Sequence, residues 1–272
     1  MAKDRILITV KTYPTLSRKY GETVCTAGIR PDGSWVRIYP VPFRRLEEGE
    51  QYKKFDWIDA DLIKSKSDPR PETRHPTHLH QLVPVGHLDT KDQWRERRRL
   101  VLETAQVHTR LASLITDAKA NKLSLAVLKP TAVENFVVEA EEDRDWEPAK
   151  LDQMRNQSAQ GDLFEEEWRK TFKVIPKLPY NFSYRFTDAD GREATLQILD
   201  WEIGALYWNC YHRHRDEKVA IEKVRAKYMD EFMKTDVHFF LGTTQQYHFV
   251  APNPWVIIGV FPVPHQTQKL LL

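Results

Sequence analysis

The sequence predicts an α+β fold in which two small, β-rich, barrel-like modules with flanking helices are joined by an acidic connector. Three observations predict it. Strand-length apolar runs separated by Pro, Gly and Asp lie in both halves of the chain, helix-length segments follow each set of strands, and one segment is strongly acidic. With 272 residues, 41% of them hydrophobic, the chain is long enough to bury a substantial core.

The formal net charge of +2 hides an uneven distribution. Residues 136–168 contain 11 acidic and 3 basic residues, so this segment carries −8 and the rest of the chain +10. Charge of one sign at this density disfavours compact packing. We therefore predict a connector over residues 139–167, between an N-terminal domain, 1–138, and a C-terminal domain, 168–272.

No targeting or membrane segment is predicted. The apolar run at residues 6–10 is too short for a signal peptide, and the run at 255–261 is strand-sized, far below the ~18 residues of a membrane span. Cys25 and Cys210 lie far apart in apolar-rich runs and are expected to be free thiols. These features predict a cytoplasmic protein that does not associate with a membrane.

The N-terminal domain begins with strands. Strands are predicted at residues 5–10, 22–29 and 35–39. Pro, Asp and Gly at 31–33 predict a tight turn, which joins the strands at 22–29 and 35–39 into a hairpin. Residues 55–63 predict a further strand, and the Pro- and His-rich segment 65–84 predicts a surface loop. A helix over residues 91–121, capped by Asp89 or Thr90, and short strands at 123–128 and 133–138 complete this domain.

The C-terminal domain repeats a similar plan. An Asp-Gly turn at 190–191 joins predicted strands at 180–187 and 193–199. Helices are predicted over residues 201–212 and 216–234. Strands at 237–241 and 255–261, separated by a Gly-Thr-Thr turn and a polar loop, finish the domain.

A short segment carries a resemblance to known modules. Residues 24–29 read Val-Cys-Thr-Ala-Gly-Ile, and residues 33–37 read Gly-Ser-Trp-Val-Arg. This pairing resembles small β-barrel modules of the OB-fold and PUA-like kind. In some bacterial proteins of that kind, a Cys-x-Ala-Gly strand turns into a strand that reads Gly-x-Trp, then Ile or Val, then Arg. The resemblance implies a barrel whose exposed face and loops bind nucleic acid, and it implies no reaction.

Cations alternate with aromatic residues in the first module. Trp35, Arg37 and Tyr39 share one face of a predicted strand, where they could stack bases and bind phosphates. The alternative is that the two aromatic side chains are barrel core and Arg37 covers them. Arg44 and Arg45 extend the basic surface, and Arg97 and Arg98 open the predicted helix, where a phosphate or the acidic connector would balance their charge.

A glycine-containing turn follows the strand at 237–241. Thr243 and Thr244 in this turn could direct backbone N–H groups and hydroxyls at a phosphate, with Gln246 in the following loop adding an amide. A plain hairpin turn is the alternative. No nucleotide-binding glycine motif occurs elsewhere in the chain.

Carboxylates and imidazoles in the C-terminal domain form a candidate catalytic set of Asp200, Glu202, His238 and His248. These groups carry out general acid–base chemistry and bind divalent metals. The structural alternative is that Asp200 caps the helix that follows it.

These patterns together predict a nucleic-acid-binding protein, a reader of single-stranded or modified DNA or RNA, that needs no cofactor. The alternative is an enzyme acting on a nucleotide or nucleic-acid substrate through the carboxylate and histidine set, with a divalent metal as its cofactor. A third interpretation is that the acidic connector shields a nucleic-acid site and binds other proteins.

Overall fold

The computed structural model describes residues 3–17, 20–46, 49, 51–78, 82–156 and 174–266. It contains 39% strand and 27% helix, and a curled half-barrel sheet with flanking helices confirms the predicted α+β fold in two domains. None of the helices described is long and apolar enough to cross a membrane.

The half-barrel is an eight-stranded sheet. Its strands are β1 Asp4–Lys11, β2 Thr15–Ser17, β3 Gly21–Ile29, β4 Trp35–Val41, β5 Asp56–Ala60, β6 Leu62–Lys64, β7 Thr73–Pro76 and β8 Val83–His87. Their order in the sheet is β6-β7-β4-β3-β1-β5-β8, and β2 pairs with β3 beside this path. The pairs are antiparallel except for the parallel pair β4–β7. Gly33, with a φ of +86°, forms the predicted turn before β4, a conformation that glycine adopts without strain.

Two predictions in this region are corrected. The single strand predicted over residues 55–63 is two strands, β5 and β6, which lie at different places in the sheet order. The segment predicted as a surface loop, 65–84, contains β7 and the start of β8. Pro76 ends β7 and Pro84 lies in the edge strand β8, where a missing N–H is tolerated.

The helix predicted over residues 91–121 is instead two helices with a strand between them. Helix α1, Lys91–Arg98, continues into a π-helical turn, Arg99–Thr104, which ends at an extended Ala105. Strand β9, Val107–His108, follows, and then α2, Leu111–Lys119. The Asp188 carboxylate accepts a hydrogen bond from the Leu111 N–H over 2.8 Å, so α2 begins on a residue distant in sequence.

Two smaller sheets contain the remaining strands. These are β10 Leu125–Leu128, β11 Ala132–Ala140, β12 Tyr180–Thr187, β13 Glu193–Gln197, β14 Asp236–Thr243 and β15 Trp255–Val263. One sheet has the order β15-β14-β10-β9 and the other the order β11-β12-β13. Strands β10 and β11, from the predicted N-terminal domain, pair with β14 and β12 from the predicted C-terminal domain.

The described part of the chain has three further helices: α3, Pro148–Asn156, which contacts β2, and α4, Trp201–His214, and α5, Glu217–Arg225, which pack against the smaller sheets. The predicted helix 216–234 is therefore α5 followed by a π-helical turn, Ala226–Glu231, and a 3-10 turn, Phe232–Lys234. Of the predicted connector, residues 139–156 contain the end of β11 and helix α3, and residues 157–167 lie outside the described part of the chain.

The half-barrel and the β15-β14-β10-β9 sheet share one hydrophobic core. Leu7 and Val10 of β1 lie in the same buried cluster as Phe240, Ile258 and Phe261 of β14 and β15. Burial of side chains this large is worth about 1.5–3 kcal/mol each. The shared core holds the two parts together along one side and leaves a cleft between them on another.

Candidate functional site

A cavity of about 390 Å³ lies between the half-barrel and the two smaller sheets. The half-barrel contributes residues 12–15, Cys25 on β3, and Arg37 and Tyr39 on β4. Residues of β12 and β13, the end of β14 and the start of β15 form the other walls. The volume falls in the range of ~300–1,000 Å³ that is typical of small-ligand sites.

The cavity has aromatic walls. The Trp146 indole N–H donates to the Ile175 carbonyl oxygen over 2.7 Å, and the Tyr180 hydroxyl donates to the Glu217 carboxylate over 2.6 Å. Because these polar ends are already bonded within the protein, the rings are held as fixed apolar surfaces. Five aromatic side chains line the cavity: Tyr13, Tyr39, Trp146, Tyr180 and Phe182.

A chain of polar side chains crosses the wall formed by β11, β12 and β13. The Lys177 ammonium donates to the Glu141 carboxylate over 2.7 Å. Glu141 also accepts from the Asn181 amide, and the Asn181 carbonyl oxygen accepts from the Gln197 amide. The hydrogen bond from Lys177 lowers the pKa of Glu141, which is therefore ionised at neutral pH. We call these four residues the amide relay.

Two buried arginines lie at another wall of the cavity. Arg37 is 1% exposed, and its guanidinium donates to the hydroxyl and the carbonyl oxygen of Ser124 over 2.5 and 2.9 Å. Arg70 forms an ion pair with Asp68 at 2.6 Å and donates to the Thr243 carbonyl oxygen. Both guanidinium groups are thus held by acceptors within the protein.

A buried histidine supports the turn beside these arginines. His248 is fully buried and lies 2.8 Å from the Thr243 hydroxyl and 3.1 Å from the side-chain amide oxygen of Asn121. Burial, followed by the nearby positive charges of Arg70 and Arg37, lowers its pKa. In the neighbouring turn the Thr244 hydroxyl is buried and has no partner among the described residues, and Thr244 lines the cavity.

A separate cluster of charged groups lies where helix α4 begins. Lys54 donates to Asp200 over 2.7 Å and to Glu202 over 2.9 Å. Burial alone would lower the pKa of Lys54, but the two carboxylates raise it above its usual value. Burial and the charge of Lys54 lower the pKa of nearby Lys11 to about 8, and its ammonium lies 4.0 Å from the centre of the Phe43 ring.

The structure does not bring the four predicted acid–base residues together. Asp200 caps helix α4 by accepting from the Glu202 N–H over 3.2 Å, which is the structural alternative named above. His238 contacts the Asp236 carbonyl oxygen at 3.1 Å, near the start of β14. His248 contacts Thr243 at the other end of that strand, about 16 Å away at the rise of ~3.3 Å per residue.

The predicted aromatic and basic platform is also divided. Trp35 packs against Phe240 with 5.9 Å between ring centres, as core. Arg37 is buried, because both faces of β4 are covered by other parts of the protein. The exposed binding surface predicted on this strand is therefore wrong, and this face of β4 is a wall of the cavity instead. Of the ten residues predicted to bind nucleic acid, the cavity includes four: Arg37, Tyr39, Thr243 and Thr244.

The other predicted cations have partners within the protein. Arg44 forms an ion pair with Glu22 at 2.9 Å, and Arg45 lies beside it in a 3-10 turn. Arg97 donates to the Leu88 carbonyl oxygen over 2.9 Å, and Arg98 donates to that of Pro264 over 2.9 Å. Gln246 is exposed in the loop, and its neighbour Gln245 lines the cavity instead.

The described part of the acidic connector lies beside this cavity, at the wall that contains Trp146. A second cavity of about 750 Å³ adjoins the first there and is lined by residues 142–148. The cations around α1 have acidic partners close by in sequence. Arg95 pairs with Asp92, and Arg99, in the π-helical turn, pairs with Glu96, at 3.0 Å each.

The amide relay was not among the predictions from the sequence. Asn181 and Gln197 fall on strands that it predicts, and the alternation Asn181-Phe182-Ser183-Tyr184 separates a polar face from an apolar one. This alternation is the sequence feature that could have indicated a polar wall on these strands. Among the described residues, no group of three His, Cys, Asp or Glu side chains could hold a metal ion.

Comparison with known families divides the chain at the end of the π-helical turn that follows the half-barrel and α1. Residues 2–103 match a family described as Domain of unknown function (DUF8758), and residues 105–272 match Domain of unknown function (DUF8757). No curated protein and no solved structure matches the chain. Because the second match covers more than half of the 272 residues, the protein belongs to the DUF8757 family.

Proposed function

We propose that the protein binds nucleic acid by taking one unstacked base into the 390 Å³ cavity between the half-barrel and the smaller sheets. The observation that carries this proposal is the combination of aromatic walls with fixed amide groups. Aromatic faces stack bases, and amides form hydrogen bonds with base edges. A base held this way must come from a single strand or be flipped out of a duplex.

The charge distribution supports a site for a base more than a groove for a phosphate backbone. Arg37, Arg70 and Arg97 are already bonded within the protein, and the acidic residues 142–147 beside the cavity repel phosphates. We therefore expect the affinity to fall only gently with salt. For about one or two phosphate contacts the slope of log K against log salt is roughly −0.7 to −1.4.

The half-barrel is consistent with the predicted resemblance to OB-fold and PUA-like modules, which stays a prediction. We place the binding in the cytoplasm, since Cys25 and Cys210 are both free thiols, as in a reducing compartment. The alternative of an enzyme using Asp200, Glu202, His238 and His248 has no support in the geometry, because these residues lie in three separate places.

Fluorescence anisotropy with labelled single-stranded and duplex oligonucleotides tests the proposal. We expect tighter binding of the single strand, and about tenfold weaker binding by Tyr39→Leu, because base stacking is worth ~1–3 kcal/mol. Tyr247→Leu is the matched control, since Tyr247 is 51% exposed and does not line the cavity. Absence of binding at low salt, or equal effects of the two variants, would overturn the proposal.

A further inference from the structure

The amide relay determines which chemical group its last member presents. Glu141 accepts hydrogen bonds from both Lys177 and Asn181. An ionised carboxylate has no proton to donate, so it acts only as an acceptor. The Asn181 side chain must therefore direct its NH₂ group at Glu141, which turns its carbonyl oxygen towards Gln197.

The next step follows from the same rule. The Asn181 carbonyl oxygen can only accept, so Gln197 must direct its NH₂ group at it, as the structure shows. The carbonyl oxygen of Gln197 is then left as the acceptor at the end of the relay, on a residue that lines the cavity. The negative charge of Glu141 thus orients two amides in turn, by hydrogen bonds alone.

We infer that Gln197 is a specificity-determining residue that selects a base with an exocyclic amino group, such as cytosine or adenine, over one with a keto oxygen at the same position. This inference rests on the proposed function. An amino group donates a hydrogen bond to the Gln197 carbonyl oxygen. A keto oxygen in its place would leave two acceptors facing each other, both without a donor, and a buried group left in this way is costly.

One isosteric substitution in the relay, Glu141→Gln, is expected to reverse this preference for an amino group over a keto group. In Glu141→Gln, the new side chain can accept from Lys177 through its carbonyl oxygen and donate to Asn181 through its NH₂ group. Asn181 and Gln197 would then both turn over, and Gln197 would present N–H donors to the cavity. The shape of the site would be unchanged and its polarity inverted.

Decamers of deoxycytidine and of deoxyuridine test this, because cytosine and uracil carry an amino and a keto group, respectively, at the same carbon. We expect the natural protein to bind the deoxycytidine decamer about three- to tenfold tighter, the effect of one hydrogen bond. We expect Glu141→Gln to abolish or reverse this preference and Gln197→Met to abolish it. Glu142→Gln is the matched control, as it removes the same charge from the neighbouring exposed residue and should keep the preference.

The outcomes separate this inference from the proposed function. Equal binding of the two decamers by the natural protein, or an unchanged preference in Gln197→Met and Glu141→Gln variants that fold, would overturn the inference and leave nucleic-acid binding in place. No binding of either decamer by the natural protein would overturn both. If Glu141→Gln fails to fold by circular dichroism, the comparison of Gln197→Met with the natural protein decides alone.

Discussion

The guanidinium of Arg37 lies between the hydroxyl and the carbonyl oxygen of Ser124, at 2.5 and 2.9 Å. Arg37 belongs to the half-barrel, and Ser124 directly precedes β10 of a smaller sheet. The Ser124 hydroxyl in turn donates to Glu72 over 2.5 Å, so a carboxylate balances the arginine through the serine. This contact joins the two parts of the fold beside the cavity.

Replacing Arg37 should therefore destabilise the whole chain. Arg37→Met leaves the Ser124 carbonyl oxygen without this donor and Glu72 without its balancing charge, at a cost of about 3–5 kcal/mol in the free energy of unfolding. Urea denaturation measures this loss in the free energy of unfolding. Arg95→Met is the control, because the Arg95 side chain is 71% exposed and its loss should cost under ~0.5 kcal/mol. A loss below ~1 kcal/mol for Arg37→Met would show that the contact is not a structural link.

Arg37 also shows where prediction from sequence stops. The alternation of Trp35, Arg37 and Tyr39 predicts β4 correctly as a strand, because period-two patterns are local. Whether that face is exposed depends on residues far along the chain. Ser124 and Thr243, which cover the guanidinium, are 87 and 206 positions away. The alternation of residues 35–39 therefore gives no information about the residues that cover this face.

The candidate site was also predictable only in part, because its strands have local patterns but its contacts depend on distant residues. Its individual strands, β12 and β13, were predicted from their hairpin turn, and so was the strand position of Asn181 and Gln197. Another member of the relay, Glu141, lies just past β11 in a segment whose composition indicates only a solvated connector. The register that pairs β11 with β12 brings Glu141 to Asn181, and it is set by tertiary packing.

The close approach of Gly204 on α4 to the Tyr13 ring provides a second prediction. A Cβ atom at Gly204 would overlap this ring, which lines the cavity. On helix propensity alone, Gly204→Ala would stabilise the protein by about 1 kcal/mol. We expect it instead to destabilise by about 1–3 kcal/mol, because overpacking forces the ring to move.

A double-mutant cycle isolates this contact. In a Tyr13→Ala background the overlap is absent, so Gly204→Ala should become neutral or stabilising in thermal denaturation. If Gly204→Ala is equally destabilising in both backgrounds, the ring is not the cause. Gly86→Ala serves as a control for added volume, because a Cβ there meets no atom within 4 Å.

The burial of His248 predicts a loss of stability in acid. Burial and the charges of Arg70 and Arg37 lower its pKa in the folded protein, although Glu72 and Asp68 oppose this. The unfolded chain, with an ordinary histidine pKa of ~6.5, then binds more protons than the folded one below that pH. Stability should rise with pH up to about 6.5 and fall as the pH drops below it, by up to ~1.4 kcal/mol per pH unit.

Substitution of this histidine should flatten that dependence. Urea denaturation of His248→Gln between pH 5 and 7 is expected to show a smaller slope of stability against pH than the natural protein. His265→Gln should leave the slope unchanged, because His265 is exposed. An unaltered slope in His248→Gln would mean that other groups, such as the buried His238, dominate the acid response.

The two carboxylates that share Lys54 should respond very differently to substitution. The Asp200 side chain is 1% exposed and that of Glu202 is 57% exposed. Lys54→Met leaves the Asp200 carboxylate buried without its cation and should cost about 3–5 kcal/mol in urea denaturation, whereas Glu202→Gln should cost under ~0.5 kcal/mol. Adding Asp200→Asn to Lys54→Met should restore part of the loss, since no charge then remains buried. A large effect of Glu202→Gln, or no recovery in the double variant, would contradict the assignment of Asp200 as the buried structural partner of Lys54.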